Sequence, residues 1–304
     1  TEVLIKEAES RQDIVAITAA MPDSTGLLPY SERFPERFFD VGIAEQHATT
    51  AAAGMAMSGL RPVVAIYATF LNRAFDQIAF DVGLHELPVI FCLDRAGITG
   101  PDGASHHGLL DMMLMSKIPG MTIFAPSSYQ ELQQMFQDAL EITDGPVCIR
   151  YPRTPAPTVH ETEVGRGRKA RKLQDGNDAC ILAIGKMLEP AQEAASALEQ
   201  RGINCAVWDV RCVAPLDVAM LEDAHRHPVV ITIEDGIIEG GIGANIQNKL
   251  SKLEGRGPIV RTLGVPSAYV PQGNADEILS ELGLGSQGIT KEILSVHKFL
   301  QGDN

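Results

Sequence analysis

Along the first half of the chain, short and almost unbroken apolar runs alternate with longer stretches of helical period. The apolar runs are DIVAIT (13–18), RFFDVG (37–42), RPVVAIYA (61–68), LPVIFCLD (87–94), MTIFAPS (121–127) and GPVCIRY (145–151). A strand with one wet face alternates apolar and polar residues. These runs do not, which predicts strands covered on both faces in a parallel sheet. Segments 45–58, 71–85, 109–117 and 128–142 are the expected intervening helices, and Tyr129–Ile142 is the plainest amphipathic one, with Ser127 or Ser128 available as its cap.

The pattern breaks at TPAPTVHETEVGRGRKARKLQDGND (154–178), where Pro, Gly and dense charge predict a linker with room for one edge strand. Four more strand–helix units follow, with strands expected at 180–184, 203–210, 229–234 and 259–264. Helices are expected at 188–200, 216–226, 243–253, 275–281 and 290–300. The predicted fold class is α/β, two domains that are each a mostly parallel β-sheet flanked by helices. The predicted division is a first domain over 1–155, a linker over 156–177 and a second domain over 178–304. The chain opens TEVLIKEAES, without Met and already in helical period, so a preceding segment is expected.

Composition narrows the function classes. The 304 residues are 45% apolar and 21% charged, enough for a real core, and the 28 glycines with only 5% aromatics suit tight βα turns better than a β-sandwich. A net charge of −14 argues against a nucleic-acid partner, which needs a cationic surface. No apolar run has the ~20 residues of a membrane-spanning helix. The five cysteines (92, 148, 180, 205 and 212) lie in or beside apolar runs without metal-ligand spacing, which predicts buried free thiols and a cytoplasmic protein.

Four features carry candidate chemistry. Glu45, in DVGIAEQH (40–47), opens a helix built largely from Ala, Thr, Gly and Met, with no cation near it in sequence. It either complements the helix macrodipole or, withdrawn from water, holds or shares a proton with a cofactor's ring nitrogen. The loop DRAGITGPDGASHHG (94–108) leaves a strand where open α/β sheets bind ligands. Its His106 and His107 are either polar surface or a general acid–base. Arg73, Arg95, Arg150 and Arg153 sit among apolar residues. Each is an ion-pair residue, or Arg95 and Arg153 converge from two strand ends on one anion. The Gly-rich turn IEDGIIEGGIGANI (233–246) reads either as tight helix–sheet packing or as a nucleotide loop, without the G-x-G-x-x-G order.

Longer stretches say more. RFFDVGIAEQHATTAAAGMAMSGLRPVVAIYATFLNRAFDQI, DRAGITGPDGASHHG and GPVCIRYPR resemble the pyrimidine-binding domain of the 1-deoxy-D-xylulose-5-phosphate synthases, transketolase-like thiamine-diphosphate enzymes. VRCVAPLD, IEDGIIEGGIGANI and YVPQGNADEILSELGL resemble their C-terminal domain. The resemblance implies that Glu45 hydrogen-bonds N1′ of the aminopyrimidine and controls its tautomer, that Phe70 stacks on that ring, and that Ile43 contacts the cofactor. It implies that His106 is the active-site histidine, and that Tyr67, Arg73, Arg95, Asp102 and Arg153 surround the substrates pyruvate and glyceraldehyde 3-phosphate. A homodimer and a place in isoprenoid and thiamine precursor synthesis are also implied.

Two departures are small: Thr154 stands where the family usually has Gly, and an early GSG turn reads Ser24-Thr25-Gly26. One is large. The Gly-Asp-Gly motif through which thiamine enzymes hold magnesium and the diphosphate is absent from the sequence. The resemblance therefore implies half of an enzyme that needs a further N-terminal domain, with no metal site of its own. A separately encoded half-enzyme and a non-catalytic nucleotide-binding regulator are the alternatives.

Overall fold

The computed structural model describes residues 1–302, the side chain of Gln301 excepted, so residues 303 and 304 of the second expected domain lie outside the described residues. The first sheet is formed by β1 (Ile14–Thr18), β2 (Phe38–Asp40), β3 (Arg61–Tyr67), β4 (Ile90–Asp94), β5 (Thr122–Phe124) and β6 (Val147–Arg150), joined by one later strand. The second contains β7 (Arg171–Gln174), β8 (Ala179–Ala183), β9 (Cys205–Asp209), β11 (Val229–Ile237) and β12 (Ile259–Val265). With the later strand β10 (Cys212–Ala214), their orders are β10-β5-β6-β4-β3-β1-β2 and β12-β11-β8-β9-β7, parallel except at β10 and β7. The two-domain α/β architecture expected from the unbroken apolar runs is thus the observed one. β1, β4, β6 and β8 are buried at every position.

Two features were not legible in the pattern. β10 (Cys212–Ala214) leaves the second half of the chain and pairs antiparallel with β5, extending the first sheet. Three residues are too few to show a period, so it merged with the loop around it. β7 is the edge strand for which the linker left room, and it closes the second sheet antiparallel to β9. The expected helix 71–85 is a broken one: α-helical Ala68–Leu71, a 3₁₀ turn Asn72–Ala74, α-helical Phe75–Gln77 and a π-helical Ile78–Gly83. Period analysis sees one amphipathic segment there because Leu71, Ala74, Ile78 and Val82 all still face the core.

Elsewhere the helices match their spacing. Glu45–Met57 buries Glu45, Ala48, Thr49, Ala52, Ala53 and Ala56, a single face at intervals of three and four. Tyr129–Glu141 is capped by Ser128, whose Oγ accepts the Glu131 amide at 3.1 Å. One apolar cluster runs from Ile17, Val64 and Phe91 of the first sheet to Leu182, Ala206 and Val230 of the second, so the two sheets share a core. All five cysteines are buried and free.

The Gly-rich turn after β11 is filled from within. Glu234 accepts the amides of Ile242 and Gly243 at 3.2 and 2.8 Å, at the start of helix Ile242–Leu250. A carboxylate of the chain itself thereby occupies the position a phosphate would take at a nucleotide loop. At Gly243 a Cβ would collide with the Thr232 hydroxyl, so close packing accounts for that glycine. Burial pushes Glu234 up to about 7 against the pull of its two amides. Burial likewise lifts Asp209, which accepts from the Ser127 hydroxyl at 2.6 Å, to about 7.

These two carboxyls set a pH dependence. Between about pH 4, where such groups ionise in an unfolded chain, and about 7, the folded protein holds protons that the unfolded chain has released. Their contribution to stability is full below that window and is lost as pH rises through it. Urea midpoints should therefore fall between pH 5.5 and 7.5, and Asp209→Asn should shrink that fall. An undiminished difference in the variant would remove Asp209 as a source.

Candidate active site

Chain order and sheet order disagree beside β1: β2 lies to one side and β3 to the other. Connections diverge at such a point and leave a crevice at the carboxyl ends of the strands. Loops following β1, β2 and β3 enclose a pocket of about 300 Å³ there, lined by Ala19, Ala20, Met21, Ser24, Ile43, Glu45, Tyr67, Phe70 and Arg73. Five residues expected at the site (Ile43, Glu45, Tyr67, Phe70 and Arg73) meet in this one pocket.

Glu45 is 1% exposed, the first residue of its helix. It is not without a cation, as sequence proximity had implied. Arg73, carried by the 3₁₀ turn, places Nη1 3.1 Å from Glu45 Oε2. The guanidinium is half exposed while the carboxylate is buried, so the pair runs from the pocket wall towards solvent. The separation of 28 residues hid it from any local reading. Beside the carboxylate the walls are flat and apolar. Tyr67 and Phe70 stack at 5.5 Å between centroids with 11° between planes, and His106 meets Phe70 edge-on at 5.3 Å.

The remaining expected residues form a rim. The Arg95 guanidinium lies 4.0 Å above the Tyr67 ring, and its Nη1 reaches both Asp94 Oδ2 and the Ser24 carbonyl at 3.0 Å. Arg153 Nη1 donates to both Asp102 oxygens at 2.9 and 2.8 Å, and this pair is exposed. Arg95 and Arg153 therefore each pair with an aspartate of their own. His106 is partly exposed and bonded through Nδ1 to Ser105 Oγ at 2.9 Å. His107 is buried: its Nδ1 accepts the Thr99 amide at 3.0 Å, which leaves the proton on Nε2, towards the Pro271 carbonyl. That imidazole braces the loop against the second domain. Arg150 lies deeper, between Asp111 and Asp235.

Sequence reasoning left four contributors unassigned. Asp40 Oδ1 accepts the amides of Ala20 and Gly42 at 2.8 and 3.0 Å, tying the loop after β1 to the loop that delivers Glu45. Ala20 and Met21 line the pocket, and the Tyr67 amide points at Met21 Sδ at 3.4 Å. Asp94 anchors Arg95. Asp40 opens the same DVGIAEQH motif, and a carboxylate ending a strand beside a glycine was the available signal. Among the described residues no group of three His, Cys, Asp or Glu side chains is placed to hold a metal ion.

The family model "Transketolase, pyrimidine binding domain" matches residues 1–158, and "Transketolase, C-terminal domain" matches residues 168–289. A 1-deoxy-D-xylulose-5-phosphate synthase of Magnetococcus marinus is 48% identical over 297 residues, covering 94% of this chain and 47% of that protein. One from Gloeobacter violaceus is 45% identical over 302 residues, covering 96% of this chain and 46% of that protein. The chain spans about half the length of the curated relatives it matches. Among solved structures, a "Split gene transketolase, inactive beta4 tetramer" is 30% identical with a TM-score of 0.87, over 97% of this chain and 95% of that one. A Pichia stipitis transketolase, 16% identical with a TM-score of 0.80, shares the fold over 98% of this chain and 45% of its own. The match across the first domain and the near end-to-end likeness to the split-gene protein place this chain in the transketolase family, as a pyrimidine-binding domain followed by a transketolase C-terminal domain.

Proposed function

We propose that the chain supplies the pyrimidine-binding and C-terminal domains of a thiamine-diphosphate-dependent 1-deoxy-D-xylulose-5-phosphate synthase, which condenses pyruvate with glyceraldehyde 3-phosphate, with loss of CO₂, on the way to isoprenoid precursors. The observation that carries the reading is the buried Glu45 carboxylate set into an aromatic-walled pocket at the switch point of the first sheet. The residues fit an aminopyrimidine: a pocket lined by Ile43 and the stacked Tyr67–Phe70 pair, with one buried carboxylate among them for a ring nitrogen. No residue here is assigned to magnesium or to the diphosphate, so both fall to a further domain, on the same polypeptide or on a second one. The matching span of the split-gene relative is what favours keeping the second arrangement open.

When bound, the cofactor supplies a carbon nucleophile and a sink for the electrons of decarboxylation. The rest falls to this chain. Glu45 holds or shares a proton with the ring nitrogen, and Arg73 compensates the charge of the buried carboxylate from the solvent side. Phe70 fixes the plane of the ring, and His106, set edge-on to Phe70, is the group placed to move a proton at the acceptor's carbonyl oxygen. Arg95 and Arg153 are guanidinium forks suited to the acceptor's phosphate. Filling of the Gly-rich turn by Glu234 leaves the nucleotide-regulator reading without support. A homodimer belongs to the same proposal.

The test is kinetic, on the enzyme completed with the diphosphate-holding domain. Arg153→Ala should raise KM for glyceraldehyde 3-phosphate roughly tenfold to a hundredfold, the worth of a charge-assisted contact, and leave KM for pyruvate unchanged. Unphosphorylated glyceraldehyde should be used equally by both proteins. A wild-type complex that makes no carboligation product from this substrate pair overturns the reading.

A further inference from the structure

The proposed acceptor arginines are held in opposite ways. Arg153 is 46% exposed, and its partner Asp102 lies in a glycine-rich loop and is itself partly exposed. Such a pair contributes little and exchanges readily with a competing anion. Arg95 is only 14% exposed, and its partner Asp94 ends a strand of the sheet. Asp94 ends β4, in register with Tyr67 at the end of β3, so its carboxylate and the Tyr67 ring stand side by side on adjacent strands. Arg95 follows with φ +59°, a left-handed conformation unusual for a long side chain. Its Nη1 then meets Asp94 Oδ2 and the Ser24 carbonyl, and the guanidinium lies flat on Tyr67.

Nη1 is therefore fully engaged. Nε and Nη2 make no hydrogen bond among the described residues, and neither is among the buried atoms that lack a partner, so both remain open to solvent. Apolar packing at the end of β4 does not call for a carboxylate. Burial pushes Asp94 up, and Arg95 and then Arg153 draw it back. A buried charge of this kind is costly unless it organises its partner.

We propose that Asp94 is a positioning residue for acceptor recognition: it pins one corner of the Arg95 guanidinium against Tyr67 so that the two free donors face the cleft as a preset fork for the phosphate dianion. The inference rests on the reading of the site given above. It makes the Arg95 half of the phosphate site rigid and the Arg153 half mobile, with Asp102 as the group an incoming phosphate displaces.

Asp94→Asn in the complete enzyme is the test, with Asp94→Glu as the conservative variant and Asp94→Ser should the amide fail to fold. KM for glyceraldehyde 3-phosphate should rise about tenfold, while kcat and KM for unphosphorylated glyceraldehyde stay within about twofold. Asp94→Glu should recover most of the difference. A crystal structure of the Asn variant should show the guanidinium displaced from the Tyr67 ring. An active wild type whose Asn variant loses both acceptors equally, or keeps Arg95 on Tyr67, overturns this inference alone. Wild-type enzyme inert towards the substrate pair counts instead against the synthase reading.

Discussion

Glu45→Gln, in the enzyme completed with the diphosphate-holding domain, is expected to slow deuterium exchange at thiamine C2 by at least about 10²-fold, the lower range of general acid–base contributions. The argument is geometric before it is electrostatic. Glu45 is 1% exposed and lines the same pocket as Phe70 and Ile43, so one of its oxygens is available to a ring bound there. The other, Oε2, is engaged by Arg73. Glutamine keeps the shape and the engaged oxygen but removes the acidic proton the ring nitrogen would share. The fold should survive, because the helix packs through Ala48, Ala52, Ala53 and Ala56, and Arg73, half exposed, can turn to water. Near-identical melting curves with a collapsed exchange rate are the expected pair of results. An unchanged exchange rate would remove Glu45 from the proposed role.

What the sequence made legible follows from where its signals are local. Strands covered on both faces leave unbroken runs of Val, Ile and Phe, and β1, β3, β4 and β6 were found by that alone. What stayed hidden was contact between residues distant in sequence. The Arg73–Glu45 pair changes the chemistry of the pocket, yet nothing within a helical turn of either residue predicts it. The same holds for Arg150, legible as a cation in an apolar run but not as a link between domains. His106 and His107 were equivalent by residue type, the resemblance chose His106, and their surroundings differ accordingly: an aromatic edge for the first, two backbone groups for the second. Asp94 sat in plain view at the end of LPVIFCLD and was passed over because its partner was its own neighbour.

Arg150→Met is expected to cost on the order of 3–5 kcal/mol of stability, the usual penalty for stripping a buried ion of its partner. Arg150 ends β6 of the first sheet and is 2% exposed. Its Nε meets Asp111 Oδ2 at 2.9 Å, and its Nη1 bonds to Asp235 of β11 in the second sheet. Arg150 Nη2, Asp111 Oδ1 and Asp235 Oδ2 have no hydrogen-bond partner among the described residues, so the desolvation cost of the triad is only partly offset. Its net contribution is therefore modest, but the loss on removing the cation alone is large, because two carboxylates then share a dry interface. Asp235 also packs against Gly97, where a Cβ would strike its carboxylate, so the disturbance reaches the base of the 94–108 loop. Guanidinium unfolding of wild type, Arg150→Met, and Arg150→Met combined with Asp111→Asn and Asp235→Asn separates the two effects. The triple variant should regain most of what the single one loses, since neutral amides cost far less to bury than unpaired carboxylates. A single variant within about 1 kcal/mol of wild type would mean that the aspartates are neutral or hydrated in the folded protein, and that the ion triad does not hold the two sheets together.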